Sequence, residues 1–126
     1  MTETNKELAV IEMYMKDVEN LPQLSDEEKE DLIMRLADGD SSVVEELVNS
    51  MLLHVAEMAQ DYRDKGVRFG DLIQEGNVAL TEVISDYDGD GDLESFNELV
   101  DEAVTEAFES AIKEQAESDK ISQALI

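Results

Sequence analysis

The sequence contains no cysteine and no tryptophan, and its 126 residues include one proline and nine basic side chains. Without cysteine there is neither a disulfide framework nor a thiolate metal site, so nothing in the composition points to secretion. The first ten residues lack the basic start and the apolar stretch of a signal peptide. No run approaches the ~20 apolar residues that span a bilayer. These absences predict a cytoplasmic protein that does not associate with membranes.

Acidic side chains dominate what is present. Asp and Glu number 33 against 9 Lys and Arg, which gives a net charge of −24. No Lys or Arg occurs between Arg68 and Lys113. Because proteins hold nucleic acids largely by neutralising phosphates, this stretch of the chain is unsuited to bind them. The charge fits either a solvated acidic surface or a surface for a basic partner.

The spacing of apolar residues predicts an all-α fold, a compact bundle of about five helices. The predicted helices cover about residues 6–19, 25–38, 41–64 and 70–85, and the fifth begins at Ser95. Two of them begin with the Ser-x-x-Glu spacing of a capping box, at Ser25–Glu28 and Ser95–Glu98. An apolar stripe on the fifth helix, including Leu99, is expected to face the core. We expect one domain over residues 1–126, frayed at about 1–5 and 114–126.

One segment has the sequence of a known helix. Residues 71–80 read DLIQEGNVAL, which resembles the polymerase-binding helix in the second region of bacterial RNA polymerase sigma factors. About residues 10–85 follow that family's pattern without a gap, including the turn at Pro22. The resemblance implies an all-helical domain whose fourth helix docks on a coiled coil of the largest subunits of the RNA polymerase core.

By position, the resemblance assigns partner binding to four polar residues of that helix: Asp71, Gln74, Glu75 and Asn77. Acids and amides on one helix can pair with arginines on a partner helix, which suits this assignment. Thr81 departs from the family pattern, because a larger apolar residue is frequent at that position. The alternative interpretation is that DLIQEGN preserves only a helix start and its packing.

The fifth helix departs further from the family pattern. Sigma factors normally carry aromatic residues there that stack on promoter bases, and basic residues that hold the DNA backbone. In this sequence Leu99 stands in place of a tyrosine, and Glu102 and Ala103 stand in place of paired tryptophans. The face that would correspond to the DNA side consists of Glu98, Asp101, Glu102, Thr105 and Glu106. The sequence therefore predicts that promoter recognition has been lost.

The loop before the fifth helix has a competing interpretation. It matches the first half of an EF-hand calcium loop, with alternating carboxylates and a glycine at the sixth position. The candidate Ca²⁺ ligands are Asp86, Asp88, Asp90 and Asp92. The twelfth position, which normally supplies a bidentate Glu, is Asn97, with Glu98 one place late. An acidic turn without metal accounts for the same residues.

No residue pattern points to catalysis, since the single histidine, His54, has no accompanying pattern typical of a nucleophile or a general base. The sequence favours a non-enzymatic, sigma-like transcription regulator that binds the RNA polymerase core or another basic protein. We expect no binding of promoter DNA by the chain itself. Two alternatives stay open: a calcium-binding helix–loop–helix protein, and a functional sigma factor whose DNA contacts come from a partner subunit.

Overall fold

The computed structural model describes residues 5–125, apart from the side chains of Asn5 and Glu7. This part of the chain forms five α-helices and no β-strand, which confirms the predicted all-α bundle. The helices are α1 (Asn5–Glu19), α2 (Asp26–Ala37), α3 (Val44–Gln60), α4 (Phe69–Ser85) and α5 (Leu93–Ala124), with a 3₁₀ turn (Ser41–Val43) before α3. The expected fraying at residues 1–4 and 126 falls outside the described residues. No described helix has both the length and the apolarity that a membrane crossing needs.

The start of α2 confirms the predicted capping box. The Ser25 hydroxyl accepts a hydrogen bond from the Glu28 amide at 3.1 Å, and the Glu28 carboxylate accepts one from the Ser25 amide at 3.0 Å. The hydrogen bond from the Ser25 amide, helped by that from its side chain, lowers the pKa of Glu28. Two amides at the helix start that would otherwise lack partners are thereby satisfied.

The predicted start of α5 at Ser95 is wrong, because Asp92 caps this helix. The Asp92 carboxylate accepts hydrogen bonds from the Ser95 amide at 3.0 Å and from the Ser95 hydroxyl at 2.9 Å. Ser95 therefore donates within the first turn, and the helix begins at Leu93. The bond from the Ser95 amide is the main cause of a lowered pKa at Asp92. The spacing of Ser95 and Glu98 resembles a capping box without forming one.

The third helix is shorter than predicted, since α3 ends at Gln60. Beyond it the amides of Asp61 and Tyr62 bond to carbonyls three residues back, a tighter pattern than an α-helix. Asp64 and Gly66 then have φ values of 62° and 99°, in the left-handed region that a right-handed helix cannot contain. The apolar periodicity that predicted a longer helix continues through Tyr62, which packs on the core from this turn.

Helices α3, α4 and α5 enclose most of the core, and α2 adds Leu32, Ile33 and Leu36 to it. Along α5 the predicted stripe is buried at four positions: Phe96, Val100, Val104 and Phe108. Leu99 is an exception, because 42% of this residue is exposed. The expectation that Leu99 faces the core is therefore wrong. It lies about 100° around the helix from Val100 and falls at the edge of the buried stripe.

Helix α5 also continues further than its periodicity predicted. The stripe weakens after Lys113, yet the backbone stays helical to Ala124. Every described residue from 113 onwards is exposed, including Ile121 and Leu125. This last segment therefore adds nothing to the core.

Candidate partner-binding site

Helix α4 divides its residues between two environments. Its inner face is buried against α3 and α5 and consists of Phe69, Leu72, Ile73, Gly76, Leu80 and Ile84. Its outer face exposes Asp71, Gln74 and Glu75, three of the four residues assigned to partner binding. Spacings of three and four residues place Asp71, Gln74 and Glu75 on neighbouring positions of one helix surface. The fold thus presents two carboxylates and an amide together, free of the core.

Asn77, the fourth residue of the predicted set, occupies a different position. It is half-buried, and its Nδ2 donates a hydrogen bond of 3.1 Å to the hydroxyl of Tyr14 on α1. Its Oδ1 is buried without a hydrogen-bond partner among the described residues. Asn77 therefore links α1 to α4. A substitution there would change the attachment of α1 as well as any partner contact.

An open apolar groove of about 670 Å³ runs beside this polar surface, between α1 and α4. Its lining includes Gln74 and Asn77, and the apolar side chains are Val10, Ile11, Tyr14, Ile73 and Val78. Val10 and Val78 are 59% and 49% exposed, which is high for large apolar residues. Thr81, the departure from the family pattern, lies in this groove and donates its hydroxyl to the Asn77 carbonyl at 2.9 Å. Polar and apolar contacts are thus available side by side.

Gly76 has a packing role that the motif did not reveal. A Cβ atom at this position would lie 2.7 Å from Cε1 of Phe108 and 2.8 Å from Cγ1 of Val55. Both distances are shorter than a van der Waals contact, so the absence of a side chain allows α4 to approach α3 and α5. A glycine in the interior of a predicted helix is the signal that could have indicated such a close approach.

The five residues predicted on the DNA side lie along one part of α5. Glu98, Glu102 and Glu106 are exposed, and Asp101 and Thr105 are half-buried. The exposed surface is therefore acidic, as the sequence predicts. Asp101 has a partner that sequence reasoning missed, since its Oδ1 lies 2.6 Å from Nε2 of His54 on α3. His54, which had no assigned role, thus joins α3 to α5.

The acidic loop between α4 and α5 is organised around Tyr87. The Tyr87 hydroxyl accepts a hydrogen bond from the Gly91 amide at 2.9 Å, and its ring packs edge-on against Phe96. Gly91 has a φ of 91° and is buried against Met34 of α2. A Cβ at Gly89 would overlap the Tyr87 ring. Gly91, the glycine of the EF-hand-like pattern, and the nearby Gly89 thus have a structural explanation.

The four candidate calcium ligands do not converge. All four are exposed; Asp86 ends α4, Asp92 caps α5, and Asp90 accepts a hydrogen bond from the Asp92 amide at 3.2 Å. Within residues 5–125, no three His, Cys, Asp or Glu side chains are placed to hold a metal ion together. No observation on this loop favours the calcium-binding alternative.

Comparison with known proteins identifies a class of relatives. No protein-family model matches the chain. The sigma factor SigA of Clostridium acetobutylicum is 38% identical over 78 residues, which are 62% of this chain and 21% of that protein. SigA of a Bacillus species is 30% identical over 111 residues, or 88% of this chain and 29% of the relative. The sigma-C factor of Myxococcus xanthus is 31% identical over 77 residues, which are 61% of this chain and 26% of that protein.

The chain is therefore a relative of the bacterial RNA polymerase sigma factors, as the resemblance predicted. It spans less than a third of the length of each of these relatives. A match over 111 of 126 residues must include α4 and most of α5, wherever it begins. The relationship thus extends to the helix whose surface is acidic here.

Proposed function

We propose that this chain is a transcription regulator that binds core RNA polymerase through α4 and does not recognise promoter DNA. The observation that carries the proposal is the joint exposure of Asp71, Gln74 and Glu75 within the DLIQEGN motif. Packing does not require these three side chains, because the core is built from the other face of α4. Carboxylates and amides presented in this way suit arginine-rich partner helices.

The groove between α1 and α4 supports the same proposal. Protein interfaces commonly combine an apolar centre with polar groups at its rim. Here the apolar surface of Val10 and Val78 adjoins Gln74, so a docked helix would cover apolar area and meet polar groups together. Promoter binding is disfavoured by the acidic surface of α5, because acids beside phosphates add repulsion where counterion release is needed.

The double change Gln74→Ala and Glu75→Ala tests the polymerase interface. It should weaken binding to purified core RNA polymerase by about 2–5 kcal/mol, the usual cost of truncating one partner of a desolvated charged contact. Both residues are exposed, so helicity and melting temperature should stay nearly unchanged. Binding can be measured by biolayer interferometry, first with core enzyme and then with the isolated coiled coil of its largest subunit.

The matched control is Glu102→Ala with Glu106→Ala, which removes exposed acids from α5 instead. This pair should leave polymerase binding unchanged. If it abolishes binding while the α4 pair does not, the acidic surface of α5 is the interface and the proposal is wrong. Promoter binding that requires a second purified subunit would instead support a sigma factor whose DNA contacts are supplied in trans.

A further inference from the structure

A second groove lies between α4 and α5, and it shares one lining residue, Glu82, with the groove between α1 and α4. It encloses about 510 Å³ and includes the loop residue Tyr87. Its apolar lining consists of Ala79, Val83, Tyr87, Leu99, Ala103 and Ala107. The alanines keep the groove open, and Leu99, which is 42% exposed, supplies a large apolar surface to it. The groove is thus suited to receive an apolar side chain.

The rim of this groove is uniformly acidic. Its charged lining residues are Glu82, Asp86, Asp88 and Glu106, and all four are exposed. Three further acids of α5, Glu98, Glu102 and Glu109, are exposed on the same helix. No Lys or Arg occurs between Arg68 and Lys113, so neither α4 nor the loop nor the groove-lining part of α5 supplies a positive charge. Focused negative potential over an apolar floor selects partners by charge as well as by shape.

We propose that this groove binds a basic amphipathic segment of a partner protein, which places an apolar side chain against Leu99 and Lys or Arg side chains on the acidic rim. Because the floor of the groove is apolar, positive charge alone does not give a partner its full affinity. The acidic rim repels nucleic acids and acidic peptides. A second copy of this chain is a poor occupant, because each copy carries a net charge of −24 and the two would repel. The inference does not depend on polymerase binding by α4.

The test uses a labelled amphipathic peptide of about 16 residues with Leu on one helical face and Lys on the other, a general probe for this recognition mode. Two control peptides accompany it: one with the same composition in an order that gives no apolar face, and an oligolysine of equal charge. Fluorescence anisotropy at near-physiological salt gives the affinities. We expect the amphipathic peptide to bind more tightly than both controls. Its binding should shift the amide resonances of residues 79–88 and 99–107 selectively.

Variants then distinguish the contribution of the apolar floor to peptide affinity from that of the acidic rim. Leu99→Ser should reduce affinity for the amphipathic peptide roughly tenfold, because the apolar area that it buries is lost, and should leave oligolysine binding unchanged. The matched control is Val78→Ser, a similarly exposed apolar residue in the other groove, which should have no effect. Asp88→Asn with Glu106→Gln should weaken binding and reduce its salt dependence. The exposed acids Glu114 and Glu117, changed together to Gln, provide the charge control.

Several outcomes would overturn the proposal. Equal affinity for oligolysine and the amphipathic peptide would mean that charge alone attracts the partner. Equal losses for Leu99→Ser and Val78→Ser would mean that the groove has no special role. Direct binding of single-stranded DNA that shifts the amide resonances of residues 79–88 and 99–107 would instead assign this surface to nucleic-acid binding. A concentration-dependent dimer in sedimentation that Leu99→Ser abolishes would identify a second copy as the occupant. By contrast, loss of polymerase binding by the Gln74→Ala and Glu75→Ala variant, with peptide binding intact, would support the proposal, because the two partners would then bind through different residues.

Discussion

Replacement of Gly76 by alanine tests how much the stability of the fold depends on the close approach of α4 to α3 and α5. The added Cβ would lie 2.7 Å from Phe108 and 2.8 Å from Val55. Both neighbours are fully buried, and the Phe108 ring also packs against Tyr62 at a centroid distance of 5.1 Å. Neither side chain can therefore move without displacing other core residues. Overpacking in a well-packed core typically costs about 1–3 kcal/mol of unfolding free energy.

Alanine also has a higher helix propensity than glycine, by up to about 1 kcal/mol, and this acts in the opposite direction. Gly70, in the first turn of α4, isolates that second effect because a Cβ there meets nothing within 4 Å. We expect Gly70→Ala to be neutral or slightly stabilising. Gly76→Ala should be less stable than Gly70→Ala by about 1–3 kcal/mol.

Urea denaturation, monitored by circular dichroism, gives the free energy of unfolding of both variants. Equal m-values would show that their unfolding transitions are comparable. If Gly76→Ala proves as stable as Gly70→Ala, the close approach of α4 to α3 and α5 does not limit stability and the packing argument fails. Val55→Ala should cost less stability in the Gly76→Ala background than in the original chain, because it removes one of the two overlapping atoms; a double-mutant cycle measures this coupling.

Four other predictions concern charged groups of the chain. The protein should not bind single-stranded promoter DNA even at low salt, so fluorescence anisotropy showing micromolar affinity would contradict the proposed loss of promoter recognition. Because 24 net negative charges repel one another, added NaCl should raise the melting temperature in differential scanning fluorimetry. Magnesium and calcium should raise it equally, and a calcium-specific response lost on Asp86→Ala and Asp90→Ala would instead establish an EF-hand-like site. Asp92→Ala should lower the melting temperature at pH 7. This difference should narrow as the pH falls through the lowered pKa of Asp92, since a carboxylate with a depressed pKa stabilises the fold only while ionised.

The features that could be predicted from the sequence are those that local patterns specify. The capping box at Ser25 and the buried positions of α5 both follow from spacings of three and four residues within one helix. The exposure of Asp71, Gln74 and Glu75 follows in the same way, because the apolar residues of α4 occupy the other face. Periodicity assigns a residue to one side of its own helix and needs no knowledge of neighbouring helices.

The features that could not be predicted depend on contacts between elements. Two acceptable caps, Asp92 and Ser95, lie three residues apart, and only the path of the loop around Tyr87 places the helix start at Asp92. Leu99 lies in the groove between α4 and α5, so its exposure depends on how these two helices pack. The spacing within α4 predicts that Asn77 is a surface residue, and only the position of Tyr14 on α1 makes it a link between two helices. In each case the deciding partner is distant in sequence or belongs to another element.

Packing alone does not explain all the residues of the DLIQEGN segment. Leu72, Ile73 and Gly76 are buried, so packing accounts fully for these three positions. It does not account for the exposed residues Asp71, Gln74 and Glu75, which match the sigma factor motif equally well. On α5 the buried positions are also apolar, but its exposed positions differ from the family pattern and are acidic. An exposed surface that keeps the family motif on one helix and departs from it on the next is expected if polymerase binding is retained and DNA binding is lost.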